Sequence, residues 1–357
     1  MRSIDTFKKT LEKRGHKFFI FAPSQGGASK ENRVWRIPSL PLPGQKDYRL
    51  ALPVFSDFNF LPQLPKINII HLQHIFRMGS FGLKLARQLK IPAMLTYHTM
   101  LVDYTNHIPI IKHSGFLKSL VRGYLIRRSR RLANRCQLVI VPSKPILAEL
   151  RSYGVKTRIE ILPTGVDLKR FKPPKMKLPP QSLVYVGRLS EEKNLKMLFS
   201  AFATVIKKIP GAHLFLVGDG PDRKAYENLV QKSGLGKQVS FTGFLDQNKT
   251  AEYQAAADLF VFPSVTDTQG LVVVEAMAAG TPVVVVGKLG PGEIVKHGIF
   301  GFKTKNNPRD FTDKIIELLT NDKLRLKMKK AAQKEAKNYA QEKMAAKLEK
   351  VYYSLLK

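Results

Sequence analysis

The sequence predicts a doubly wound α/β protein built on two parallel sheets. Short apolar runs alternate with amphipathic stretches, as parallel strands joined by covering helices require. The alternation stops in a Pro- and Lys-rich stretch, "FKPPKMKLPPQ" at 171–181, and then restarts, which reads as a linker between two sheets. The 357 residues also exceed what one hydrophobic core usually serves.

Along the chain, residues 3–14 read as a helix closed by Gly15, followed at once by the strand "KFFIFAP" at 17–23. Further strands are predicted at "INIIHLQ" (67–73), "AMLTYH" (93–98), "QLVIVPS" (137–143) and "RIEILPTG" (158–165). After the linker the strands are "SLVYVG" (182–187), "AHLFLVG" (212–218), "QVSFTG" (238–243), "DLFVFPS" (258–264) and "PVVVVG" (282–287). The tail from 309 to 357, rich in Lys, Ala, Leu and Glu, reads as helices with basic outer faces. The expected division is an N-terminal domain at 1–172, a linker at 173–181, a second domain at 182–335 and a C-terminal helix at 336–357.

Composition narrows the setting. The start, "MRSIDTFKKTLEKRG", has no apolar signal core, no apolar run is long and uninterrupted enough to span a bilayer, and Cys136 is the one cysteine. A cytoplasmic location is the expectation. The net charge of +33 is uneven: residues 1–177 hold 33 Lys+Arg against 9 Asp+Glu. Such a half suits nucleic acid or an anionic membrane, and a generally basic proteome would produce it too.

Three loops carry the chemistry, each at the carboxyl end of a predicted strand, where open α/β sheets bind ligands. In "VGRLSEEKN", Gly187 and Arg188 follow a strand and Lys193 stands at the opening of a helix, an arrangement suited to phosphate. "VGDGPD" contains Gly218, a turn that lets a ligand approach the backbone. In "SVTDTQGLVVVEAMAAGTPVVVV" (264–286), Asp267 precedes a helix starting near Gly270, and Glu275, with seven residues between it and Asp267, lies in the second turn. The amides of Gly270, Leu271 and Val272 are expected to point into the same cleft, and Gly280 to stop the helix. Taken singly, these are an ordinary turn, a solvated Asp and a surface Glu. Together and in order they fit a nucleotide sugar, whose pyrophosphate suits cations and helix amides while its hydroxyls suit carboxylates.

"YVGRLSEEKN", "LVGDGP" and "TDTQGLVVVEAMAAGTPVV" resemble the retaining glycosyltransferases of family 4, over nearly the whole chain. The resemblance implies the GT-B architecture of two facing Rossmann-like domains. It implies that Arg188 and Lys193 hold the donor diphosphate, that Glu275 binds the ribose and that Asp267, where Glu is commoner, contacts the donor sugar. "TGFL" at 242–245, with Phe244, would lie beside the base, and "GPGEIVKHGIFGF" at 290–302 matches the family's next glycine-rich segment. Within the family, "TYHTMLVDYTNHIP" at 96–109 is similar to the diacylglycerol glucosyltransferases, and His98 stands where relatives have a histidine near the transferred sugar. Tyr104 and His107 keep the relatives' spacing, while "LVD" departs from their aromatic-acidic step. Relatives also have a strand and a glycine-bearing loop before the first helix here, so such a segment is expected upstream of Met1.

The expected partners are therefore a UDP-sugar, diacylglycerol or a related lipid, and an anionic membrane, with no nucleic acid and no protein cofactor. The segment 112–136, "KHSGFLKSLVRGYLIRRSRRLANRC", carries eight Lys+Arg and no acid, with Phe116, Leu117, Leu120, Val121, Tyr124 and Leu125 at helical spacing. It suits the inner face of a membrane; the ordinary alternative is a helix packed on its own domain. No Asp-x-Asp occurs, so no metal is expected on the pyrophosphate. Glucose against galactose or mannose, a GDP-mannose donor and another acceptor stay open. A non-catalytic nucleic-acid-binding protein is the reading of another class.

Overall fold

The computed structural model describes residues 2–24, 33–42, 45–52, 64–98, 100, 102 and 114–356. It forms two compact units, Met1–Pro163 with Ala345–Lys357, and Thr164–Met344.

In the first unit, β1 (Ile20–Pro23) and β2 (Val34–Ile37) form a parallel pair, and β3 (Ser39–Leu42) and β4 (Gln45–Ala51) an antiparallel one. The four strands β5 (Ile70–Leu72), β6 (Ala93–Thr96), β7 (Leu138–Val141) and β8 (Ile159–Ile161) form a parallel sheet in that order. Among the described residues no ladder joins it to β1–β2. Every residue of β6 and β7 is buried, as apolar runs covered on both faces must be. Helix Arg77–Gln88 lays Phe81 and Leu85 against Phe21 and Ile70.

The second unit holds β9 (Ser182–Val186), β10 (His213–Val217), β11 (Val239–Gly243), β12 (Leu259–Phe262), β13 (Val283–Val286) and β14 (Gly301–Thr304). Its parallel sheet has the order β11-β10-β9-β12-β13-β14. The chain thus winds outward from β9 to one side, then returns to β12 and winds to the other. The reversal between β9 and β12 leaves a crevice at their carboxyl ends. Tyr185, Phe202, Phe260, Phe262, Phe300 and Phe311 fill the core beneath it.

The predicted linker at 173–181 lies inside the second unit, whose first segment is held where Val166 pairs with Ala340 and accepts the Gln341 N–H at 2.9 Å. Helix Gln341–Leu355 then leaves that unit and packs Ala345, Leu348, Val351 and Tyr352 among Met94, Leu138 and Ile140 of the first.

Candidate functional site

The loop after β9 and the loop after β12 flank the reversal in strand order. Gly187 donates its N–H to Val217 at 3.0 Å, and Gly218 donates to Gly243 at 3.0 Å, so three strand ends come together. Gly218 has φ 141°, and a Cβ there would stand 2.0 Å from the Gly187 carbonyl oxygen; only glycine permits this approach. Phe244 follows Gly243 and is 83% exposed, an uncovered aromatic face beside that junction. Arg188 is exposed, and its carbonyl accepts from the buried Tyr185 hydroxyl at 3.0 Å.

Lys193 ends the short 3₁₀ turn Glu191–Lys193. Asn194 follows with φ 61°, and its amide donates to the Pro263 carbonyl at 3.0 Å and to Asn306 Oδ1 at 2.8 Å, pinning the lysine loop to the end of β12. Across that pin, Lys193 Nζ lies 3.5 Å from Asp267 Oδ2. Asp267 Oδ1 accepts from the N–H groups of Gln269 at 3.2 Å and Gly270 at 2.6 Å. One of the three amides expected to meet a ligand, that of Gly270, is therefore occupied by Asp267. Those of Leu271 and Val272 lie in the first turn of helix Leu271–Ala279, with no carbonyl inside the helix to bond. Gly290 donates to the Asp267 carbonyl at 3.1 Å, and a Cβ on it would meet the Gln269 backbone at 2.5 Å. Glu275 is 7% exposed, which removes the surface-residue reading. Gly280 ends the helix with φ 81°.

The structure thus brings Lys193, Asp267 and Gly270 into one hydrogen-bonded group, and Gly187, Gly218 and the strand end before Phe244 into another. Asn194 and Tyr185 were not singled out from the sequence. The Asn of "EKN" was legible as a turn residue; the Tyr185 bond to Arg188 was not, because a buried Tyr in a strand reads as core. Among the described residues there is no group of three or more His, Cys, Asp or Glu able to hold a metal ion.

His98 belongs to the first unit and is described within it. Its Nε2 lies 2.7 Å from Gln73 Oε1, and burial lowers its pKa to about 4. His71 on β5 is half-buried, with Nε2 2.5 Å from Thr96 Oγ1 and Nδ1 2.8 Å from the Tyr352 hydroxyl. Burial, with a smaller contribution from His98, lowers its pKa to about 3. Tyr104 and His107 lie outside the described residues.

The basic segment forms helix Gly115–Ala133, with Ser114 Oγ accepting from the Leu117 N–H at 3.3 Å at its start. Its apolar residues divide. Leu125 is buried and Val121 packs on the core, whereas Phe116, Leu120 and Tyr124 are exposed at 78%, 51% and 56%. Spaced four apart, these three form one stripe. The arginines divide as well: Arg128 donates to the carbonyls of Ile75 at 2.9 Å and Phe76 at 3.0 Å, while Arg122, Arg127 and Arg131 are exposed. Among the described residues no helix is long and apolar enough to cross a membrane.

Comparison with known proteins agrees with this layout. The family of glycosyl transferases group 1 matches residues 168–335, and glycosyltransferase family 4 matches residues 2–170. The alpha-monoglucosyldiacylglycerol synthase of Streptococcus pneumoniae is 33% identical, over 84% of this chain and 70% of that protein. The synthase of the same name from Acholeplasma laidlawii is 28% identical, over 99% and 93%. In fold, the chain is similar to the sucrose-phosphate synthase of Thermosynechococcus elongatus, with a TM-score of 0.79 at 23% identity, covering 99% of this chain and 92% of that one. The fold is the GT-B fold of Rossmann-like units. With both halves matched, and with a relative one-third identical along most of its length, the chain belongs to glycosyltransferase family 4.

Proposed function

We propose that the protein transfers a hexose, glucose first among the candidates, from a UDP-sugar to the hydroxyl of a membrane lipid, diacylglycerol or a near relative, with retention of configuration. The observation that carries the reading is the group at the strand-order reversal: Lys193 and the first-turn amides of helix Leu271–Ala279, beside an exposed Arg188. These charges suit a diphosphate leaving group. In the transfer, the bond from the sugar's C1 to the phosphate oxygen breaks and a bond from C1 to the lipid oxygen forms. The lipid's hydroxyl proton passes to the departing phosphate. Lys193 and Arg188 stabilise the charge that develops there, so no metal is needed in this mechanism. Asp267 contacts sugar hydroxyls, Glu275 the ribose, and Phe244 the base.

The acceptor side rests on the exposed stripe Phe116, Leu120 and Tyr124 and on the neighbouring Arg122, Arg127 and Arg131. An apolar face beside basic residues lies in the interface of an anionic bilayer, and so brings the enzyme to its lipid on the inner face of the membrane. The test incubates the protein with UDP-glucose, UDP-galactose or GDP-mannose and diacylglycerol in anionic vesicles, followed by mass spectrometry and anomeric analysis of the lipid. An α-hexosyl lipid made from a UDP-sugar is expected; product from GDP-mannose alone, or no lipid product, overturns the reading.

A further inference from the structure

Leu289, in the loop after β13, holds a conformation that its residue type resists. Its φ of 45° lies in the left-handed region, where a Cβ is crowded and glycine or asparagine is the ordinary occupant. The turn around it is otherwise built from glycines: Gly290 lies against the Gln269 backbone, and a Cβ on Gly292 would stand 2.6 Å from the carbonyl carbon of Gly287. A further glycine at 289 would remove the strain, yet the chain carries leucine. Core packing does not explain it. The side chain is half-buried, and among the described residues it does not join those packed on the second unit's core.

Its position is informative. The loop leaves the carboxyl end of β13, the neighbour of β12, and presses on the segment that carries Asp267. The Gly290 N–H donates to the Asp267 carbonyl at 3.1 Å, and a Cβ on Gly270 would meet the Pro291 nitrogen at 3.1 Å. Leu289 is thus one residue from a direct contact with the donor loop. Backbone strain of this kind persists where the surroundings hold it for a function. We propose that Leu289 is a donor-contacting residue, whose side chain covers a C–H face of the hexose beside Asp267 and keeps water from it. The presence of a nucleotide sugar rests on the proposed function; every residue in the argument belongs to the second unit.

Leu289→Gly removes the contact and the strain together, so affinity and stability should part. The test measures binding of UDP-glucose and of UDP to the full chain by calorimetry, alongside melting temperatures. Leu289→Gly should bind UDP-glucose about tenfold more weakly, the worth of about 50 Å² of apolar surface. Its affinity for UDP, which lacks the hexose, should change little, and it should melt no lower than the native protein. Leu289→Asn, which tolerates the same φ, should show the same loss, and Leu289→Met should recover most of it. Native affinity for UDP-glucose in Leu289→Gly or Leu289→Asn overturns the contact, and so does an equal loss for UDP. A lower melting temperature in Leu289→Gly assigns the leucine to the fold and overturns it as well. If the native protein binds neither ligand, the proposed function fails and the contact falls with it.

Discussion

Asp267 holds the same groups that the proposed function assigns to a donor diphosphate. Its Oδ1 takes the Gly270 amide and its Oδ2 faces Lys193, so donor binding must compete with a carboxylate or rearrange it. The charge and the hydrogen bond are separable. Asp267→Asn retains an oxygen for the Gly270 amide and loses the charge; its turnover should fall while its melting temperature stays near the native value. Asp267→Ala also loses the hydrogen bond and should be less stable by about 1 kcal/mol. Equal melting temperatures for the two variants would contradict the structural role of that bond. Arg188→Ala, Lys193→Ala and Glu275→Ala should each lower turnover about ten- to a hundredfold, the worth of a charge-assisted hydrogen bond. Native turnover in any of them removes that residue from the donor site. The acid pair was legible in the sequence because its spacing places Glu275 in a second turn. The contact of Asp267 with Lys193 was not, since the two lie 74 residues apart and Asn194 turns the chain beside Lys193 at positive φ.

Helix Gly115–Ala133 has two populations of arginine, and they should separate under mutation. Arg127→Gln with Arg131→Gln should weaken binding to anionic vesicles roughly thirtyfold, at about 1 kcal/mol per basic residue near the surface. Arg128→Gln should instead lower thermal stability, because the carbonyls of Ile75 and Phe76 lose their donor. Equal effects of the two sets on vesicle binding would undo the distinction. The strand pair β5–β6 carries an acid sensitivity. Burial holds His71 and His98 neutral down to about 3 and about 4, whereas in the unfolded chain each gains its proton near pH ~6.5. The unfolded chain therefore binds protons first as pH falls. Stability is full above pH ~6.5 and declines from there towards pH ~4. In denaturant titrations at pH 7 and 5, His71→Gln should be weaker at pH 7 yet lose less on acidification; an unchanged loss would exclude His71 as a source. All ten apolar runs read as strands contain strands. The missed ones, β2, β3, β4 and β14, carry polar residues or proline, such as "VWRI", "QKDYRLA" and "GFKT". β2 and β14 pair with the strands β1 and β13, and β3 and β4 with each other, so their pairing rests on partners rather than on their own apolar pattern.

At the scale of the molecule, the cations of the proposed donor site are side chains, and under that proposal turnover should persist in excess EDTA. Complete inhibition that one divalent metal reverses would refute this. The two-sheet plan was legible because the strand rhythm breaks and restarts. The division of the chain was not: a Lys/Ala/Glu-rich helix names no partner, and Gln341–Leu355 finds its place through Tyr352 at His71 and Glu349 at Arg14 and His16.

That returning helix makes the second unit an insertion within the first. On the ribosome, Thr164–Met344 can complete its fold from contiguous sequence, while the earlier-made half waits for residues 345–357 to emerge. The usual order, N-terminal domain first, is thereby inverted. Pulsed proteolysis of nascent chains arrested at a linker that brings residue 344 out of the exit tunnel should find the second unit protected and the Met94–Ile140 core still open to cleavage. Protection of that core before the helix emerges would show that the first half folds without it.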